Sequence, residues 1–502
     1  MSATLWTRFE AVARARGDAP AVIHGETRVS FAALLEEALL WSGLAAWGVA
    51  PGDRVAICAE NSAAALAAAA GIWRCGAIPT WVHADAPQGH LEHAARIAEA
   101  ALILTDRDVA DRPEIAGRAR PLSPPGPGPR PGPARQPGSA PGSILFTSGS
   151  TGRPKGAVQA AATLEDGARR MRALFAYGDE DRILCPIPFA FDYGWGQALS
   201  MLLTGVTLVL PQPRNAFGLC EALAAHRPTV LAAVPALLAD LVSGLSPIRD
   251  TPRDSLRLIT NTGSKIPAAL WETALELFPD AEISLNYGLT ETYRSASLPP
   301  EMARAAPDCV GWPVPGADLA VLRPDGTRCA PEEEGEIVHR GAGVFLGYWG
   351  EPERTAKALR PDPLWPHPEI AAPMVVFTGD LGRLDAAGRL FVHGRSDRQL
   401  KSMGVRVSPD EIEALILESG LVEAAGVTAK PHDVIGDFIA ACVVLPDGAD
   451  EKETLKALKR HARAEMSPYM QPRLWLTMAA LPRTPSGKTD YARLTVLARE
   501  AT

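Results

Sequence analysis

The run Ile144-Leu145-Phe146-Thr147-Ser148-Gly149-Ser150-Thr151-Gly152-Arg153-Pro154-Lys155-Gly156 decides how the rest of the chain is read. Ile144 to Phe146 reads as a short buried strand that opens into a loop of Ser, Thr and Gly closed by a Lys. The glycines at 149, 152 and 156 let the backbone turn tightly and bring its N–H groups close to an anion. Thr147, Ser148, Ser150 and Thr151 add hydroxyl donors, and Lys155 adds a mobile positive charge suited to phosphate. The spacing predicts a loop that wraps the phosphates of a nucleotide. It differs from Gly-x-x-x-x-Gly-Lys-Ser/Thr, because Pro154 precedes the Lys and Gly156 follows it.

A chain of 502 residues is too long for one core, so two or more domains are expected. The net charge of −8 shows no basic excess, which argues against a nucleic-acid partner. The seven cysteines are scattered without a Cys-x-x-Cys pair, as expected in a reducing cytosol. No signal-peptide pattern opens the chain, and the apolar runs Ala63 to Trp73 and Met201 to Leu210 are too short to span a bilayer. The expectation is a cytoplasmic protein without membrane insertion.

Upstream of the loop, the strand Arg54 to Cys58, the helix Ser62 to Trp73 capped by Asn61, and a strand from Gly76 predict parallel α/β architecture. Residues 121–142, mostly Pro, Gly, Arg and Ser, predict a surface linker. Downstream, Pro186 to Gly196 predicts an irregular wall in which Asp192 is a lone charge. Such a carboxylate needs a cationic or hydrogen-bonding partner, or else it caps a helix. Leu256 to Ser264 reads as a strand ending in a glycine turn, with Lys265 facing water.

Ile283 to Tyr287 runs into Gly288-Leu289-Thr290-Glu291. Tyr287 can stack on a base, Thr290 can bond a phosphate, and Glu291 can hold Mg²⁺ through its carboxylate. A strand end followed by a Thr-capped helix is the alternative. In Phe377-Thr378-Gly379-Asp380, Asp380 can accept both ribose hydroxyls. Near the end, Pro482-Arg483-Thr484-Pro485-Ser486-Gly487-Lys488 presents a Lys in a Gly-containing turn.

These six motifs, in this order, resemble those of the adenylate-forming superfamily of acyl-CoA synthetases, nonribosomal peptide adenylation domains and luciferases, over about residues 5 to 495. The resemblance implies an α/β fold. Residues 1–396 would form a large domain of two α/β subdomains plus a distorted β-barrel, and 397–502 a small, mobile α+β lid hinged at Asp397. It assigns ATP and AMP binding to Thr147, Ser148, Gly149, Ser150, Thr151, Gly152, Lys155, Tyr287, Asp380 and Arg395. Lys488, Glu291 and Thr290 become catalytic, with Glu291 on Mg²⁺. Phe191, Asp192, Trp195, Gly263, Ser264, Gly288 and Trp312 are expected to form the substrate pocket, with Asp192 on an amino group. Val158-Gln159-Ala160-Ala161 and Thr262-Gly263-Ser264-Lys265 depart from the family pattern at that pocket.

The implied reaction joins a small-molecule carboxylate to ATP, releases pyrophosphate, and passes the acyl group to a thiol. Fourteen residues follow Lys488 and no thiol-acceptor motif is present, so the acceptor is expected from outside. An amino acid loaded onto the phosphopantetheine of a separate carrier protein is the first reading. An acyl-CoA ligase using CoA is the alternative, and a nucleotide-binding regulator without turnover is a third.

Overall fold

The computed structural model describes residues 4–126, 137–147, 154–242, 246–263, 265–266, 268–395, 400–403, 405–432, 437–446, 448–483 and 489–501, without the side chains of 268, 269, 395 and 406. It is an α/β protein of mixed sheets with a small C-terminal domain. In one seven-stranded sheet, Pro141–Thr147, Ile78–Val82, Arg54–Cys58 and Leu102–Thr105 run parallel. Lys155–Ala160 folds back antiparallel on Pro141–Thr147, and the distant two-residue strand Gly347–Tyr348 pairs beyond it, with Tyr348 opposite Ala157.

A nine-stranded sheet has Leu258–Asn261 between Val230–Ala233 and Glu282–Tyr287, all parallel. The β-rich segment after residue 308 supplies a five-stranded antiparallel sheet whose long strand, Met374–Leu384, carries Asp380. The C-terminal unit packs Pro409–Glu418, Glu451–Glu465 and Tyr491–Glu500 around the sheet Ala424–Lys430, Phe438–Val444 and Leu474–Thr477. Its apolar cluster, including Val407, Ile412, Ile416, Ile439 and Leu458, is separate from those of the larger sheets.

Parallel strands discharge their loops at their carboxyl ends, where ligands of open α/β sheets bind. Here the ends of Ile78–Val82, Pro141–Thr147, Leu258–Asn261 and Glu282–Tyr287 converge on one cavity, whose wall includes His83, Thr147, Thr262 and Gly288.

Local readings need three corrections. Ser62, not Asn61, caps the helix Ala63–Arg74 by accepting from Ala65 N. Asn61 instead bridges to the substrate wall, donating to Ile187 O at 2.8 Å and accepting from Phe189 N at 2.9 Å. The Pro/Gly-rich stretch stops short of 142: Pro141 starts a strand, a place where its missing N–H costs nothing, and Gly142 O accepts from Trp73 Nε1. Thr290 and Glu291 lie in a turn and not at a helix start.

Trp195 and Trp312, expected at the substrate pocket, do not line it. Trp195 is fully buried behind the wall, 4.9 Å from Trp81 and 5.7 Å from Trp73 between ring centres. Trp312 lies on the edge strand of the nine-stranded sheet, its Nε1 donating to Ala387 O at 2.9 Å. Trp195→Ala is therefore expected to cost about 3–5 kcal/mol of stability through the cavity it opens. Trp312→Ala should cost clearly less, since Trp312 is only half-buried. Urea denaturation midpoints of the two variants check this order.

Candidate active site

The cavity, about 240 Å³, is lined on one side by Phe146, Thr147, Tyr287, Thr290, Glu291 and Asp380. At that end Lys155 Nζ donates to the Tyr348 hydroxyl, which donates to Glu291 Oε1 at 2.6 Å. Lys155 Nζ is also 3.4 Å from Glu291 Oε1 and 3.9 Å from the Tyr348 ring centre. The contact exists because Gly347–Tyr348 pairs next to the strand that Lys155 begins. Glu291 is buried, so this cation and hydroxyl are what keep its carboxylate affordable.

The Thr290–Glu291 turn is held from behind. Gln159, fully buried on Lys155–Ala160, donates Nε2 to Thr290 O at 3.1 Å, and Ser143 Oγ donates to Gln159 Oε1. The departure from the family pattern at Gln159 thus supports the Thr290–Glu291 turn. Thr147 Oγ1 has no hydrogen-bond partner among the described residues and remains a donor for an incoming anion. Tyr287 is tied to Asp380, donating to Oδ2 at 2.6 Å, and Asp380 N donates to Thr378 Oγ1 at 3.1 Å. Two residues 93 apart in sequence, expected on base and ribose, are neighbours.

On the opposite side the wall is apolar, with Val82, Ile187, Pro188, Ala190, Phe191 and Val234. Asp192 interrupts it. Phe191 takes the N-cap position of the helix Asp192–Thr204, which leaves Asp192 as its first residue, half-buried on the cavity. The helix starts this close to the wall because residue 194 is glycine: a Cβ there would fall 2.2 Å from Pro188 O. Tyr193 anchors it, donating to Thr260 O at 2.7 Å. Burial pushes the Asp192 carboxyl up to about 6, with Arg294 and the backbone N–H groups of 192 and 193 opposing and Glu291 reinforcing. Gly263 and Gly288 line the cavity.

The C-terminal unit closes the site with Lys401, Met403, Val405, Glu411, Tyr469 and Met470. The Tyr469 ring lies 5.7 Å from Phe191 and 6.1 Å from His83, and His83 lies 5.3 Å from Phe191. Glu411, 1% exposed, sits 3.6 Å from His90 Nε2. Burial raises its carboxyl to about 8 and lowers both His83 and His90 to about 4. Sequence reading assigned no role to His83, His90, Tyr348, Glu411 or Tyr469. His83, His90, Glu411 and Tyr469 line the cavity and Tyr348 bonds to Glu291 beside it, and no local pattern marks them. Ser148, Gly149, Ser150, Thr151, Gly152, Ser264, Asp397, Lys488 and the Arg395 side chain lie outside the described residues.

Mg²⁺ takes hard oxygen ligands and keeps waters and substrate phosphates, so one or two protein carboxylates suffice. Glu291, a buried carboxylate on the cavity wall beside Thr290, fits that demand. Among the described residues no group of three or more His, Cys, Asp or Glu forms a metal cage. No described helix is long and apolar enough to cross a membrane.

Residues 9–349 match the AMP-binding enzyme family, and 411–488 match the AMP-binding enzyme C-terminal domain. The chain is 30% identical over 496 residues to the delta-poly-L-ornithine synthetase of Acinetobacter baumannii, covering 97% of this chain and 36% of that one. It is 32% identical over 355 residues to the 2-succinylbenzoate–CoA ligase of Bacillus pumilus, covering 70% and 68%. Its fold is similar to the o-succinylbenzoate CoA synthetase of Bacillus subtilis, with a TM-score of 0.87, 24% identity and coverage of 100% and 99%. It is equally similar to an amide bond synthetase of Marinactinospora thermotolerans, with a TM-score of 0.87, 24% identity and 99% of each chain covered.

Tyr348→Phe keeps the ring on Lys155 and removes the hydroxyl shared with Glu291. A charge-assisted hydrogen bond of this kind contributes roughly 1.5–3 kcal/mol, but the Lys155–Glu291 ion pair remains. The expected outcome is about a tenfold weaker affinity for ATP with Mg²⁺ by titration calorimetry, together with a lowered Tm, since the bond is already made in the ligand-free protein.

Proposed function

This chain belongs to the AMP-binding enzyme family and is an AMP-forming ligase, and from that premise we propose that it activates an amino acid, or an acid bearing an amino group, as the acyl-AMP and transfers it to the phosphopantetheine thiol of a separate carrier protein. The observation that carries the reading is Asp192: a carboxylate on an otherwise apolar wall, without an ion pair among the described residues, in the same cavity as Thr290, Glu291 and Asp380. An ammonium group would supply its missing partner. The relative named for poly-L-ornithine is in keeping with an amino-acid substrate.

In this reading the substrate carboxylate attacks the α-phosphorus of ATP and pyrophosphate leaves in line. The work is positioning and charge neutralisation. Asp380, fixed by Tyr287, takes the ribose; Lys155 and the loop hydroxyls receive the departing phosphates. Lys488, assigned by its motif, bridges carboxylate and α-phosphate. Mg²⁺ held by Glu291 would supply charge neutralisation on the phosphates. The C-terminal unit, 397–502, then swings about Asp397 for thiol transfer. Seven unpaired cysteines support a cytoplasmic setting.

The second reading, an acyl-CoA ligase, is favoured by the 2-succinylbenzoate–CoA ligase relative. ATP–pyrophosphate exchange over a panel of amino acids and of fatty and aryl acids separates the two. Exchange with an amino acid, reduced at least a hundredfold in Asp192→Ala, is the expected outcome. Exchange confined to acids without an amino group moves the assignment to CoA.

A further inference from the structure

Behind Asp192 lies a second, much smaller cavity, about 10 Å³, bounded by Tyr177, Asp192, Gln197, Ser200, Tyr293 and Arg294. That is room for about one solvent molecule, provided polar groups face it. They do. The hydroxyls of Tyr177 and Tyr293 and Nη1 of Arg294 are buried, and none has a hydrogen-bond partner among the described residues. Arg294 is 6% exposed, and its guanidinium lies 5.4 Å from the Tyr193 ring centre without forming an ion pair among the described residues.

The cluster is built at a cost. Tyr293 adopts φ +60°, a left-handed conformation unfavourable by roughly 1–2 kcal/mol for a side chain of its size. Its ring lies where a Cβ on Gly167 would come within 2.6 Å, so the helix Ala161–Leu174 has a glycine at the point of contact. Strain of this kind places Arg294, the next residue, at the back of the acyl wall. A guanidinium stays charged when buried, and a buried charge needs compensation. The carboxylate across this cavity is Asp192.

We propose that Arg294 is a positioning residue that acts on the substrate through Asp192: by way of a solvent molecule in the tyrosine-lined cavity it holds that carboxyl ionised and oriented towards the amino group of the acid. This rests on the reading that Asp192 receives an amino group. Other titratable groups face Asp192 from Tyr193 on its own helix, Tyr177 after the helix Ala161–Leu174, and Tyr293 and Glu291 after the strand Glu282–Tyr287. Arg170 and Asp166 stand behind Tyr293. Across the main cavity are His83, His90, Asp380, Lys401, Glu411 and Tyr469. Among the groups that weigh on Asp192, the favourable charge is Arg294 and the unfavourable one Glu291.

The test needs no substrate. The Asp192 carboxyl lies above its ordinary value, so its contribution to stability is full below about 4 and declines as the pH rises towards about 6. The Tm difference between each protein and its Asp192→Asn partner, followed from pH 5 to 9, therefore reports this one titration. The decline is expected to level off near pH 6 in the wild type and about one pH unit or more higher in the Arg294→Met background, with Arg294→Lys close to wild type. An unmoved levelling point in Arg294→Met overturns the proposal. Arg294→Gln takes its place if the Met variant does not fold.

With an accepted amino acid, Arg294→Met should raise KM about threefold or more at pH 6.5 and leave kcat unchanged, the KM returning towards wild type at pH 8.5. A merely structural role would move both constants at every pH. If the acid has no amino group, the KM arm fails while the Tm comparison still decides the Arg294–Asp192 coupling.

Discussion

A carboxylate taken out of water must find a cation or a donor, and the acids on this cavity find theirs in different ways. Glu291 has Lys155 and the Tyr348 hydroxyl in direct contact. Asp380 accepts from the Tyr287 hydroxyl. Asp192 has only the more distant charge of Arg294 and the backbone N–H groups that begin its helix. The first two are compensated before any ligand arrives. Asp192 is left in partial debt, which is why its side of the cavity is read as the one that selects the acid.

The compensation depends on topology more than on neighbouring sequence. Lys155 meets Tyr348 because two strands 193 residues apart share a sheet edge. Tyr287 meets Asp380 where the nine-stranded and five-stranded sheets share an apolar cluster of Tyr287, Ala296, Leu319 and Ile337. The buried Gln159 joins the first sheet to the Thr290 turn of the second. The Glu291 and Asp380 end of the cavity is thus a joint between three sheets, and each sheet's register reaches it through one hydrogen bond. The C-terminal unit adds a fourth body whose Tyr469, Glu411 and Met403 complete the wall.

Legibility followed the range of the signal. Arg54–Cys58 was readable because a short continuous apolar run after a Pro-Gly-Asp turn is a local code. Asp192 stood out as a lone charge in an apolar run, and it does line the cavity. Trp195 stood in the same run and lies in the core instead, because one turn further into the helix its ring packs against Trp73 and Trp81. Asn61 looked like a cap from its place before a helix, yet a serine one residue on had the better geometry and left the asparagine free to span 126 residues.

By itself the sequence determined the order of the motifs, the α/β alternation, and the residue types able to bind phosphate, ribose and metal. These depend on backbone propensities and side-chain chemistry that act over a few residues. Only the tertiary structure decided which of those residues share a cavity. It paired Tyr348 with Glu291, His90 with Glu411, and put Arg294 behind Asp192. The reason is physical: charge compensation acts through space over a few ångströms, while the residues that provide it are separated by tens to hundreds of positions along the chain.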